Sequence, residues 1–321
     1  MYPPKPTYTE DNVPDLSGKV VIVTGASSGV GKALASVLYS KNAKVYVAAR
    51  SESKARSAIT EIKKKSPTSK GELVFLHLNL SDLAQVKESA QNFLKLEKSL
   101  HVLFNNAATQ ALSDTDGSNK TAQGHEQHLG VNVIAPFLFT KLLTPLLVAT
   151  AKSEPPSSVR VIWVSSMGLE TIGEKSKGLS LDYVNYWPAM SPLERYGLSK
   201  AGNWLHAVDM ARRYRADGVV SVPVNPGHLA SELYREGGCI FRGILSTVAL
   251  YPCINGAYVE LYGAFSPEIT IERSGEWVVP WGRFYPIRRD LVDATKLEEE
   301  GGNGHAKKFW DWTEEQVKDY V

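Results

Sequence analysis

The sequence predicts an α/β chain built on a doubly wound parallel sheet, and three observations carry that prediction. Short runs of almost wholly apolar residues recur along the chain, at 20–24, 43–49, 73–78, 101–104, 159–164 and 219–222, as strands buried on both faces do. Between them lie longer segments with helical spacing and recognisable caps, so strand and helix alternate as far as about Ser266. With 321 residues and 43% of them hydrophobic, the chain can bury a sizeable core as one large domain.

The elements follow in order. Residues 1–15 are proline-rich and polar and read as an arm over the surface. Val20, Val21, Ile22 and Val23 form a buried strand; Gly25, Gly29 and Gly31 turn the backbone, and Lys32 to Ala35 continue as a helix. Glycine suits this turn because a side chain would block the approach of a phosphate, and the following helix offers unpaired N–H groups to an anion. A second strand ends at Ala49 and Arg50, and 52–65 is a charged surface helix. After the turn at 66–69 and the strand at 73–78, a helix over 82–98 takes Ser81 as its N-cap. The strand at 101–104 leads into a long helical stretch through Ala149, then the strand at 159–164. Ser191, Pro192 and Glu194 announce another helix, to about Tyr214: a serine cap, proline in the first position and a carboxylate in the first turn. Residues 16–265 thus form the dinucleotide-binding body, and 266–321 an extension with Trp277, Trp281, Trp310 and Trp312 that ends in a helix over 306–320.

Composition excludes several partners. A net charge of +2, with both signs interspersed, gives no field to attract nucleic acid or an anionic membrane. Only Cys239 and Cys253 are present and the start at 1–6 lacks an apolar core, so an intracellular, cytoplasmic setting is expected. The apolar stretch 131–151 carries Asn132, Lys141 and two prolines, and reads as a buried helix rather than a membrane span.

Candidate chemistry lies where strands end. Tyr196 and Lys200 are four residues apart on the capped helix and share one face. A lysine there favours phenolate, suiting the tyrosine to acid–base work. Ser165 and Ser166 close the strand at 159–164, Asn105, Asn106 and Ala107 the strand before it, and Asn225, Pro226 and Gly227 the strand after Tyr196. A parallel sheet presents such positions to a ligand.

Taken together, TGASSGVG, NNA, VSS, YGLSK and NPG over roughly residues 16–265 resemble the short-chain dehydrogenase/reductase family, and most closely its retinol-dehydrogenase-like members. The resemblance implies a Rossmann-type fold and a nicotinamide cofactor. It makes Tyr196 the proton donor to a substrate carbonyl and Ser166 a hydrogen-bond partner of the carbonyl oxygen. Lys200 would hold the nicotinamide ribose, and Asn132 would anchor a water in the proton relay. Cofactor contacts are expected from Gly25, Ser27, Ser28, Gly29, Val30, Gly31, Asn106, Ala107, Tyr196, Lys200, Pro226, Gly227, Leu229 and Ser231, with Asn79 and Leu80 near the adenine.

An enzyme using NAD places a carboxylate at the end of the second strand; Ala49, Arg50 and Ser51 stand here, and a guanidinium suits the 2′-phosphate of NADP(H). Four departures from the family pattern are visible: Asn79 in place of aspartate, Ala108 in place of glycine, Ser231 in place of threonine, and a long interval from Ser166 to Tyr196 bearing Tyr183, Tyr186, Trp187, Pro188 and Met190. The apolar segment 233–245 fits either a substrate lid or a helix packed on the body. A small lipophilic ketone, aldehyde or alcohol is the expected substrate; the alternative is an inactive NADP-binding regulator or scaffold on the same fold. Trp310, Trp312 and Val317 suit a helix over the pocket, against a second subunit or on the core, which leaves homodimer formation through the long central helices open.

Overall fold

A computed structural model describes residues 4–186, 189–230 and 251–321. Its centre is one sheet of strands β1 (Val20–Thr24), β2 (Lys44–Ala49), β3 (Glu72–His77), β4 (Val102–Asn105), β5 (Val159–Val164), β6 (Val219–Val224), β7 (Val278–Val279) and β8 (Arg283–Phe284). The order across it is β3-β2-β1-β4-β5-β6-β7-β8, parallel except for the last pair. Because successive connections run one way from β1 and the other way from β4, a crevice opens between their carboxyl ends, the place where such sheets bind ligands.

Helices cover both faces. On one side lie α1 (Gly29–Ser40), α2 (Glu52–Lys65) and α6 (Cys253–Phe265), joined through Leu34, Ile62 and Leu261 to Val21, Val23 and Val222. On the other lie α3 (Leu83–Leu96), α4 (Gln127–Ala151), α5 (Pro192–Tyr214) and α8 (His305–Val317), packed through Phe93, Phe137, Leu205 and Phe309 on Ile22, Leu103 and Trp163. The short α7 (Arg289–Thr295) bridges to this layer. These apolar side chains are nearly all wholly buried, which is why the strands show no alternation of apolar and polar residues.

Local rules place the ends. Ser191 and Glu194 form a reciprocal capping box at the start of α5, with Pro192 in the first turn. The cap of α3 is Asp82 rather than Ser81: its Oδ1 accepts the Ala84 N–H at 3.0 Å, because the helix begins one residue later than the sequence suggested. The apolar helix α4 is continuous over 25 residues with 67% of its most apolar stretch buried, and it widens into a π-turn over Gly130–Ile134, around Asn132. Residues past Ser266 add β7 and β8 to the sheet edge before returning as α8 across α5. In the N-terminal arm, Thr9 caps a turn at Glu10–Asn12, and Tyr8 meets Tyr262 edge to face at 5.7 Å between ring centres.

Candidate active site

A cleft of about 550 Å³ occupies the crevice at the strand ends. Its floor is set by Thr24, the last residue of β1. The Thr24 hydroxyl donates to Phe104 O at 3.0 Å and accepts the N–H groups of Asn106 (3.0 Å) and Ala107 (2.9 Å), tying the chain after β4 to the end of β1. Asn106 closes the same tie by donating from Nδ2 to Thr24 O at 2.7 Å. Gly25 then turns at φ +71°, and a Cβ on Gly31 would come within 2.6 Å of Asn106 Nδ2 and 2.7 Å of Gly25 O. All three glycines are therefore demanded by the protein itself, Gly25 and Gly29 (φ +56°) by a left-handed backbone and Gly31 by packing, before any ligand is considered.

This turn leads into α1 with Ser28 as a cap whose side chain makes no capping bond, so the first N–H groups of the helix face the cleft without it. Gly25, Ser27, Ser28, Gly29, Val30 and Gly31 all line the cleft, as do Asn106 and Ala107. At one end stand Arg50 and Lys54, both exposed, with Ser51 capping α2 through the Lys54 N–H at 3.4 Å. Asn79 and Leu80 border the same end. The Asn79 amide is spent locally, accepting the Ser81 N–H at 3.2 Å and donating to Gln85 at 3.3 Å. Among the described residues that line the cleft there is no aspartate or glutamate, whereas Arg50, Lys54 and Lys200 are all present.

The other end is built on α5. Ser166, Tyr196 and Lys200 line it together. Lys200 is 2% exposed and donates from Nζ to Val164 O at 2.8 Å; Ser165 Oγ donates back to Lys200 O at 2.6 Å, so strand end and helix are stitched in both directions. The ammonium lies 5.6 Å from the centre of the Tyr196 ring. Burial pulls this lysine down to about 8, opposed by the negative charge of Glu260. Gly168 and Gly197 let the loop after β5 lie directly on the helix beside Tyr196: a Cβ on Gly197 would meet Ile172 Cβ at 2.7 Å. In that loop Ser166 Oγ accepts the Gly168 N–H at 3.1 Å.

Asn132 is not in the cleft wall. Its amide accepts the Thr109 N–H (2.8 Å) and donates to Thr109 O (2.9 Å) and Ser199 Oγ (3.0 Å), while its own carbonyl accepts from Asn203 Nδ2 at 2.7 Å. Because Thr109 lines the cleft and Ser199 sits between Tyr196 and Lys200, Asn132 fixes the loop after β4 to the helix of the candidate acid. Pro226, Gly227 (φ +87°) and Leu229 complete the floor, and a pairing of Leu229 with Tyr251 holds them. Ser231, the segment 233–245, and Trp187 lie outside the described residues, as do the side chains of Tyr183 and Tyr186. Sequence reading gave no role to Ser199 and Asn203 and took Thr24 only as the first residue of TGASSGVG, yet these three hold the others in place.

Comparison with known proteins fixes the family. The family model described as short chain dehydrogenase matches residues 19–174. The chain is 62% identical, over its whole length and 92% of the relative, to "Short-chain dehydrogenase/reductase bet4" of Neocamarosporium betae. The chain belongs to the short-chain dehydrogenase/reductase family. Another short-chain dehydrogenase/reductase, sthC of Phaeosphaeria nodorum, is 64% identical over 86% of the chain and 88% of its own length. Among solved structures, a protein from Mycobacterium Paratuberculosis superposes with a TM-score of 0.68 at 25% identity, covering 97% of both chains. The NADPH bound carbonyl reductase from chicken fatty liver shares the fold with a TM-score of 0.63 at 21% identity, over 87% of this chain and 97% of that one. As a member of this family the protein is an oxidoreductase on a nicotinamide-binding fold.

Proposed function

We propose that this short-chain dehydrogenase/reductase interconverts a lipophilic ketone or aldehyde and its alcohol with NADP(H), and that Tyr196 exchanges the proton at the carbonyl oxygen. The observation that carries the reading is the cleft itself. A phenol, a serine hydroxyl and a buried ammonium share one end; two exposed cations and no carboxylate stand at the other, among the described residues. The glycine turn and Ser27, Ser28, Asn106, Ala107, Pro226, Gly227 and Leu229 would hold the dinucleotide between them, with Arg50 and Lys54 toward a 2′-phosphate and Lys200 toward the nicotinamide ribose. When bound, the nicotinamide supplies or accepts the hydride.

The protein's own part is proton transfer and charge. Ser166, whose Oγ already accepts one N–H, retains its O–H to donate to the substrate oxygen. Tyr196 gives its proton to the same oxygen as negative charge develops there, and the Lys200 ammonium steadies the phenolate left behind. Asn132 acts by position, holding Thr109 against the Tyr196 helix. Met167, Ile172 and Leu193 line the reactive end and favour an apolar substrate, in keeping with a retinol-dehydrogenase-like pattern.

The test is consumption of NADPH by purified protein across a panel of lipophilic aldehydes and ketones, with the Tyr196→Phe variant beside it. The variant should bind NADPH as the parent does and lose turnover by roughly 10²-fold or more. Undiminished turnover in that variant removes Tyr196 from the reaction. Tight NADPH binding without consumption of any substrate favours the regulator instead.

A further inference from the structure

One buried ionisable group has no part in the scheme above. Glu260 is wholly buried in α6, and among the described residues neither carboxyl oxygen has a hydrogen-bond partner. Its surroundings are defined by the face it occupies. Gly256, Glu260 and Gly263 fall at i, i+4 and i+7, one stripe of the helix. A Cβ on Gly256 would strike Leu229 at 2.3 Å and Val30 at 3.3 Å, both residues of the cleft. A Cβ on Gly263 would lie 3.3 Å from Ile162 and from Val224. Glu260 therefore points at the sheet between the cleft and the ends of β5 and β6.

Lys200 reaches the same strand ends from the opposite face. Its ammonium is held by Val164 O, and Val164 is the register partner of Val224. We infer that Glu260 is a positioning residue for the reaction proposed above, facing Lys200 across the ends of β5 and β6 and setting whether that lysine carries its proton.

Beside Lys200 on α5 stands the Tyr196 phenol, its ring centre 5.6 Å from the ammonium. Among the described residues Glu260 is the carboxylate that favours the charged form of Lys200, and Lys200 the cation that favours the charged form of Glu260. On β5, the Arg160 guanidinium is spent on Gly263 O and Ser266 O at 3.1 Å each. On α1, Lys32 pairs with Glu61 at 2.7 Å. β6 and β7 carry no ionisable side chain. On α6 itself, Tyr262 donates to Glu268 at 3.0 Å, and Tyr258 is engaged with Glu10. Burial pushes Glu260 up and Lys200 down, while each charge favours the other. Ionisation of the glutamate therefore favours the protonated lysine, and loss of either charge favours the neutral form of the other.

The inference rests on the reading of Lys200 given above, so its test is made independent of turnover. In full-length protein labelled with 15N in lysine and 13C in the glutamate carboxyl, Lys200 and Glu260 are titrated by NMR. In Glu260→Gln, which keeps size and removes charge, Lys200 should lose its proton at a pH lower by about one unit. In Lys200→Met, Glu260 should ionise at a pH higher by about as much. Either displacement supports the pairing, and the second is read even where Glu260→Gln does not fold. Titrations that stay in place in both variants, or a Glu260→Gln protein that only melts earlier, overturn it. Absence of turnover with every carbonyl would remove the proposed reaction and leave the NMR result standing.

Discussion

Replacing Thr24 by valine is the sharpest test of how the cleft is held. Valine matches threonine in shape but has no hydroxyl, so the change removes one donor to Phe104 O and the acceptor for Asn106 N–H and Ala107 N–H, at 3.0, 3.0 and 2.9 Å. Each net hydrogen bond is worth about 1 kcal/mol, giving roughly 3 kcal/mol for the set. Thr24 is 2% exposed, but Asn106 and Ala107 are only half-buried, so water at the cleft recovers part of it. The expected loss is about 2–3 kcal/mol, which at about 2 °C per kcal/mol for a chain of this size is a fall in melting temperature of about 4–6 °C. Thr24→Ser keeps the hydroxyl and should lose only about 0.8 kcal/mol for the missing methyl. Thermal melting monitored by fluorescence separates the three proteins, and NADPH titration should show weaker binding in the valine variant, whose Asn106 strand end keeps only the bond from Nδ2 to the carbonyl of residue 24. A valine variant that melts with the parent or with the serine variant refutes the assignment of Thr24 as the tie between β1 and β4.

Arg50→Ala removes an exposed guanidinium at the cleft rim. NADPH should bind about 10- to 100-fold less tightly, from the roughly 1.5–3 kcal/mol of a charge-assisted hydrogen bond, and NADH binding should hardly change; equal losses for both cofactors on fluorescence titration would count against a phosphate contact. His206 is wholly buried against Phe137, Phe309 and Trp310, and burial holds it down to about 3. The unfolded chain takes up that proton near pH 6.5, the folded one only near 3, so stability is fully present above 6.5 and declines on acidification between those values. The melting temperature of His206→Gln should fall less than that of the parent between pH 7 and 5; parallel curves would show that another group is responsible. Gly31→Ala forces a methyl to within 2.6 Å of Asn106 Nδ2, and should destabilise by about 1–3 kcal/mol and weaken NADPH binding, checked by melting and titration.

The strands were legible because their burial is complete. With both faces covered, Val159–Val164 and Val219–Val224 appear in the sequence as nearly continuous apolar runs, broken only by Arg160 and Ser221, and the start of α5 carries its capping box in plain view. What the sequence could not display are bonds between residues far apart in it. The tie from Thr24 to Asn106 spans 82 positions and the clamp from Asn132 to Ser199 spans 67, and neither leaves a local pattern. Glu260 carried no local signal of its role: it is the one charged residue of the apolar helix Cys253–Phe265, and only the glycines on its stripe reveal which side is turned to the sheet. The family resemblance located Tyr196, Lys200 and Ser166 but is silent on which neighbours hold them. The stripe of Trp310 and Val317 belongs to the core beside α4 and α5 and does not line the cleft.

The placement of α8 has a bearing on dilution. Phe309 and Trp310 seal the outer side of α4 and α5, Thr313 bonds His206 of α5 at 3.0 Å, and Glu314 pairs with Lys141 of α4. The helix bearing Tyr196 and Lys200 is thus braced by a segment of its own polypeptide. An intramolecular brace obeys no mass action, so its occupancy does not fall as protein concentration falls. A second copy arriving at this surface would meet the ion pair of Lys307 and Asp311 rather than bare leucine and phenylalanine.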